Sequence, residues 1–100
     1  MALTNERKKY LRTLGHKLKP VVMVAGKGLS ASVISEIDRA LNDHELIKVK
    51  LAVGDREIKK QLFEEICNQL HAENIQTIGN ILLIYRAADK PDPRLSNLLR

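Results

Sequence analysis

Cysteine and aromatic residues are scarce in this sequence of 100 residues. Its single cysteine, Cys67, has no partner for an internal disulfide and cannot supply the several thiolate or imidazole ligands of a zinc site. Tryptophan is absent, and aromatic residues make up only 3% of the chain: Tyr10, Phe63 and Tyr85. So few rings argue against a nucleic-acid surface built from stacked aromatic side chains.

Long hydrophobic runs are also missing. No apolar stretch approaches the roughly 18 residues of a membrane-spanning helix, and the opening segment MALTNERKKY lacks the apolar centre of a signal peptide. We therefore expect a cytoplasmic protein with no membrane partner. The length and the 44% apolar content are typical of one globular domain with a single core.

Negative charge is in the minority. The chain has 17 Lys and Arg against 12 Asp and Glu, a formal net charge of +5, which favours an acidic partner such as nucleic acid. Before Glu36 the only acidic residue is Glu6. Apart from Arg7, which falls on the apolar side of the first helix, six basic residues precede residue 30: Lys8, Lys9, Arg12, Lys17, Lys19 and Lys27. This asymmetry predicts a contiguous positive surface around residues 25–28. Further basic residues are Lys48, Lys50, Arg56, Lys59 and Lys60.

Capping residues and hydrophobic periodicity predict three helices. Thr4, Ser30 and Asp55 are suitable N-caps. Apolar residues at helical spacing follow each of them. The first helix should end between Gly15 and Lys19, because Pro20 disfavours helix at the residue before it.

The segments between and after the helices predict four strands. VVMV and the alternating ELIKVKLAV follow the first two helices, while NIQTI and ILLIYR are joined at Gly79–Asn80, a pair suited to a tight hairpin turn. The order is α-β-α-β-α-β-β. It predicts a two-layer α/β sandwich with a mixed four-stranded sheet, formed by residues 1–86, and a loosely held polar tail at 87–100.

The segment AGKG joins the first strand to the second helix. Gly26 and Gly28 allow close backbone approach to a ligand, Lys27 adds a charge, and the helix begun by Ser30 directs unpaired amides towards the turn. These features fit a phosphate site, although an ordinary strand-to-helix turn also needs small residues. A nucleotide pocket is excluded, because the turn lacks the Walker A order and the next strand ends without the acidic residue of dinucleotide-binding folds.

No residues at a catalytic or metal-binding spacing are evident. His16, His44 and His71 are far apart in sequence, and Cys67 lies within the third helix beside Ile66, as a small core residue would. We find no nucleophile–base pair and no set of acidic metal ligands. We therefore expect no enzymatic activity, no cofactor and no metal.

Several segments in order along the chain resemble the bacterial YhbY family, stand-alone versions of the CRM (chloroplast RNA splicing and ribosome maturation) domain. The resemblance spans residues 3–86 and is carried by LKPVVMV, GLS, EIDRAL, HELIKVK, DRE and IGNILLIYR. It implies a fold similar to the C-terminal domain of translation initiation factor 3, and binding to RNA of large-ribosomal-subunit precursors. The family's Gly-x-x-Gly loop aligns with residues 25–28, where Ala25 replaces the first glycine.

We therefore expect an RNA-binding protein, with ribosomal RNA and pre-large-subunit particles as partners, active in ribosome assembly and favoured as a monomer. The expected RNA-binding residues are Gly26, Lys27, Gly28, Ser30, Lys8, Lys9, Arg12 and Lys19. Lys48 and Lys50 are weaker candidates, because their strand face could be covered. The alternatives are a ribosome-associated protein-interaction module whose basic surface only steers encounter, a small phosphate-ester enzyme, and a double-stranded DNA binder.

Overall fold

Helices and strands follow one another in the order that the sequence predicts. The computed structural model describes residues 3–25 and 29–98. In this part of the chain the elements are α1 Asn5–Gly15, β1 Pro20–Val24, α2 Ala31–His44, β2 Leu46–Leu51, α3 Arg56–Leu70, β3 Glu73–Ile78 and β4 Ile81–Tyr85. No helix within it has the length and apolar character needed to cross a membrane.

The three predicted N-caps are confirmed. The side chains of Thr4, Ser30 and Asp55 each accept at least one amide hydrogen bond from the first turn of their helix, at 2.8–3.2 Å. These bonds satisfy donors that have no partner within the helix. Local side-chain chemistry therefore sets where each helix begins.

The four strands form one mixed sheet in the order β1-β2-β4-β3. β1 and β2 are parallel, while β4 runs antiparallel to both of its neighbours. Ile78 pairs with Ile81 across a two-residue turn in which Gly79 has φ 56°. The predicted hairpin is confirmed, and its left-handed residue is a glycine, which adopts positive φ without steric cost.

Alternate residues of the central strands enter two different cores. In β2, Ile47, Val49 and Leu51 pack with α2 and α3, whereas Leu46 points to the opposite face and packs with Leu11 of α1. The mixed sheet and the element order are as predicted. The sheet and the α2–α3 pair form the two predicted layers. On the other face of the sheet α1 adds a partial third layer, because its apolar stripe covers part of that face.

One end of the sheet gathers several connections. Because β1 and β2 are parallel, both strands finish there, and α2 and α3 both begin there. The Ala52 amide donates to the Val24 carbonyl, and the Leu51 amide donates to the Asn80 carbonyl of the hairpin turn, both at 2.8 Å. We call this the loop end of the sheet.

The segment after Arg86 makes contacts that its polarity did not predict. Ser96 is fully buried. The Asn97 backbone amide donates to the His44 carbonyl at 3.0 Å, and Leu98 packs into the core beneath α1. The second half of the described tail therefore lies against the opposite end of the sheet from the loop end.

Candidate nucleic-acid interface

The predicted phosphate loop leaves the sheet at the loop end. Gly26, Lys27 and Gly28 lie outside the described residues, so their predicted contacts with phosphate stay a prediction. On one side Ala25 is exposed directly after β1, and on the other Leu29 packs against the α2–α3 core. The described flanks are therefore the residue after β1 on one side and the approach to α2 on the other.

The beginning of α2 is open to solvent. Ser30 Oγ accepts the Val33 amide at 3.2 Å and lies 3.2 Å from Ser32 Oγ, and both serines are exposed. No acidic residue occupies the first turn of α2. The partial positive charge of this helix end is therefore not offset by a carboxylate of its own turn. Ser30 has a capping role whether or not it also contacts RNA.

Three predicted RNA-binding residues lie together on α1. Arg12 lies one helical turn after both Lys8 and Lys9, at spacings of four and three residues. The three side chains therefore form one patch of the helix surface. We call them the α1 basic patch. Among the described residues the one ion pair joins Arg86 to Asp38, so no described carboxylate lies within ion-pair distance of this patch. A cationic surface of this kind attracts phosphates without reading sequence.

The direction of β1 separates Lys19 from the predicted loop. Lys19 is exposed just before the strand, and the loop follows its other end, so roughly 16 Å of extended chain lies between them. Lys19 instead lines a shallow cleft together with Lys17 and His44, at the end of the sheet where α2 finishes. The predicted cations thus occupy more than one surface, since the α1 basic patch lies on the sheet face opposite α2.

Lys48 and Lys50 lie on the α1 side of the sheet and are accessible in part. Lys50 is exposed and pairs with Met23, which is 61% exposed, while Lys48 is half-buried. A small cavity of about 150 Å³ beside Lys48 is also lined by His16 and Ile78. This part of the sheet is not covered by α1, so the strand face that carries both lysines is open.

The described residues offer no obvious catalytic chemistry. They contain no cluster of three or more His, Cys, Asp or Glu side chains that could hold a metal ion. Burial, and secondarily the nearby Glu73 carboxylate, raises the pKa of the Cys67 thiol to about 11. A thiol with so high a pKa is a poor nucleophile at neutral pH.

The predicted surface histidine His44 has a structural contact. Its Nδ1 lies 2.8 Å from the Leu95 carbonyl and so joins the end of α2 to the tail.

Arg86 has a structural role that the sequence pattern did not reveal. Its Nη1 donates to Asp38 Oδ1 at 2.8 Å and to the Leu70 carbonyl at 3.0 Å. Its Nη2 donates to the Asp38 carbonyl and to Asn42 Oδ1, each at 3.0 Å. The guanidinium therefore joins the end of β4 to the ends of α2 and α3. Partners up to 48 residues away leave no local signal in the sequence.

Comparison with known proteins identifies relatives along the whole chain. The sequence pattern of the CRS1 / YhbY (CRM) domain matches residues 3–86. A probable RNA-binding protein of Pseudomonas aeruginosa, PA4753, is 50% identical over 100 residues, which is 100% of this chain and 96% of that protein. An RNA-binding protein of Haemophilus influenzae is 47% identical over 88 residues, covering 88% of this chain and 89% of its own length.

The fold also matches a solved structure. The solution structure of the hypothetical protein SAV1595 from Staphylococcus aureus, described as a candidate RNA-binding protein, superposes with a TM-score of 0.78 at 34% sequence identity. The match covers 89% of this chain and 93% of that protein. The predicted α/β fold is thus found in an experimentally determined relative.

Proposed function

The chain belongs to the CRS1/YhbY (CRM) domain family, and on this premise we propose that it is a cytoplasmic RNA-binding protein. The observation that carries the proposal is the α1 basic patch, which brings three cations together on one helix surface with no described carboxylate within ion-pair distance. The net charge of +5 supports it, because long-range attraction speeds encounter with a polyanion. Its relatives in Pseudomonas aeruginosa and Haemophilus influenzae bear the names of RNA-binding proteins.

We further propose that the RNA is ribosomal and belongs to precursors of the large subunit. In this mechanism the backbone of Gly26, Lys27 and Gly28 approaches phosphates at the loop end, assisted by the amides that follow Ser30. The α1 basic patch and Lys19 add attraction that is independent of sequence. With so few aromatic side chains, recognition depends on phosphate position and RNA shape.

Binding to a structured fragment of large-subunit ribosomal RNA across a salt series tests the proposal. We expect affinity to fall steeply as salt increases, because each phosphate contact releases counterions. Replacing the α1 basic patch by Lys8→Gln, Lys9→Gln and Arg12→Gln should weaken binding. It should also reduce the salt slope by about one unit for each lost phosphate contact.

The matched control removes three charges elsewhere, by Arg39→Gln, Lys90→Gln and Arg94→Gln, all at exposed positions. This variant should change affinity much less. Lys27→Glu should cost about tenfold or more in affinity, or about 1.4 kcal/mol, if the loop contacts phosphate. If the control and the α1 variant bind RNA with equal affinity, the α1 basic patch is not part of the RNA interface. Equal competition by duplex DNA would reject selectivity for RNA.

A protein-interaction module is the second candidate, and one observation favours it. Val21, Met23 and Ile78 are 47%, 61% and 62% exposed, a high exposure for large apolar side chains. In this alternative the basic surface only steers encounter with a ribosomal protein. Absence of binding to isolated ribosomal RNA at moderate salt would favour this candidate over direct RNA binding.

A further inference from the structure

A basic cleft lies between α3 and the β3–β4 hairpin. Its volume is about 510 Å³, and its α3 wall consists of Arg56, Lys59, Lys60, Phe63 and Glu64. These positions follow the helical spacing i, i+3, i+4, i+7 and i+8, so they form one face of α3. The cleft therefore receives three cations and one carboxylate from a single helix face.

The other acidic residues of α3 and its cap do not line this cleft. Asp55 caps the helix, accepting the amides of Glu57 and Ile58 at 2.8 and 3.2 Å. Glu65 accepts the Gln69 side-chain amide at 2.9 Å. Glu64 is thus the one carboxylate among the described lining residues, and the described ion pair of the protein lies elsewhere.

The opposite wall offers uncharged hydrogen-bonding groups. It is formed by Asn74, Thr77 and Gly79 of the hairpin. Lys59 Nζ donates to Asn80 Oδ1 at 2.6 Å, which holds one cation against the turn. Arg56 and Lys60 are exposed and have no described carboxylate within ion-pair distance.

The cleft begins at the loop end of the sheet and extends along β3 to Asn74, which pairs with Ile84 towards the other end. At the loop end the hairpin turn is fixed by the bond from the Leu51 amide to the Asn80 carbonyl, and α3 begins there. The predicted phosphate loop leaves β1 at this same end, since Ala52 bonds to Val24, the last residue of β1. The loop and the cleft lie near opposite edges of the sheet, because β1 and β3 are its two edge strands. An RNA strand that contacts both would cross the ends of β2 and β4, whereas the α1 basic patch lies on the other sheet face.

We propose that this cleft binds the phosphodiester backbone of single-stranded RNA, through Arg56, Lys59 and Lys60. Charge complementarity identifies the occupant, because three cations against one carboxylate favour a chain of phosphates. Phe63 is only 5% exposed and does not offer a stacking surface, so bases are not gripped there. The inference rests on the proposed function and extends it to a surface beyond the α1 basic patch.

The test compares variants that alter the cleft in opposite directions. Arg56→Gln with Lys60→Gln should weaken binding to a single-stranded ribosomal RNA segment by about tenfold or more, since charged hydrogen bonds to phosphate are lost. The salt slope should fall by about one unit per lost contact. Glu64→Gln should tighten binding. The controls are Lys90→Gln with Arg94→Gln in the tail, and Glu65→Gln outside the cleft.

The outcomes separate this inference from the proposed function. If the unaltered protein binds RNA but the cleft pair behaves like the tail pair, the cleft inference is overturned and the proposed function stands. If the unaltered protein does not bind RNA, both are overturned. An amide chemical-shift titration with the same RNA keeps the test valid should a variant unfold. Shifts at residues 56–60 and 77–80 support the inference, and their absence during binding contradicts it.

Discussion

Ser96 Oγ donates a 2.7 Å hydrogen bond to Glu45 Oε1, and both residues are buried although 51 positions separate them. Glu45 Oε2 accepts the Ala88 amide at 3.0 Å. Glu45 also has φ 63°, a conformation that side-chain-bearing residues rarely adopt. The carboxylate between α2 and β2 therefore anchors the segment that follows β4.

Ser96→Ala should destabilise the protein by about 1–3 kcal/mol, because it leaves a buried carboxylate oxygen without its hydroxyl donor. Urea unfolding measures this as a lower midpoint with an unchanged slope. Trypsin cleavage after Arg94 should also become faster, because the tail is released. Ser35→Ala, at an exposed position of α2, is the control and should change stability by only about 0.5 kcal/mol or less. Unchanged stability and cleavage in Ser96→Ala would show that the bond does not hold the tail.

Arg86→Met should lower the free energy of unfolding by about 2–3 kcal/mol, since it leaves the Leu70 and Asp38 carbonyls without their guanidinium donor. Arg39→Met, on the exposed side of α2, removes the same charge and should have little effect. RNA affinity of the folded Arg86→Met protein should remain close to that of the Arg39→Met control. A selective loss of RNA affinity in Arg86→Met, with stability intact, would contradict the structural role.

Local signals in the sequence predicted the elements well. Thr4, Ser30 and Asp55 begin helices because their side chains bond to amides only two or three residues away. Gly79 marks the hairpin because its positive φ is a requirement of the turn itself. The sheet face covered by α1 was not predictable in this way. An apolar helix stripe shows that a helix is buried, without showing against which surface.

The candidate site was predictable only where its residues share one element. Lys8, Lys9 and Arg12 follow from helical spacing alone. The separation of Lys19 from the loop depends on the direction of β1, and the cleft at Lys59 depends on the hairpin's position beside α3. Both the position of Lys19 and the formation of the cleft depend on pairing between segments that are distant in sequence. Sequence composition does not reveal such pairing.

Gly15→Ala should destabilise the protein because α1 approaches the sheet closely at this point. A Cβ atom on Gly15 would lie 2.5 Å from Leu83 Cδ2, and Leu83 is only 2% exposed, so it has little room to move. We expect a loss of about 1–3 kcal/mol from overpacking, partly offset by the better helix propensity of alanine. Thermal and urea unfolding measure it. Gly54→Ala is the matched control, since a Cβ there meets nothing within 4 Å. Equal stability of the two variants would mean that Leu83 repacks freely.

Cys67 should react slowly with thiol reagents in the folded protein. Burial raises its pKa from 9.0 to about 11, so at pH 8 the reactive thiolate should be on the order of a hundredfold rarer than in an unfolded chain. The rate of alkylation should rise with pH up to about 11.

The raised pKa of Cys67 also predicts how the free energy of unfolding changes with pH. A pKa raised by folding means that the native state favours the protonated thiol, so the stabilisation is complete below pH 9.0 and is lost as the pH rises towards 11. Unfolding measured between these values should show a steeper loss of stability in the unaltered protein than in Cys67→Ala. The variant retains the lysines and tyrosines that also titrate in this range, so the difference between the two curves isolates the thiol. Parallel curves, or alkylation at pH 8 as fast as in urea, would contradict a thiol protected by burial.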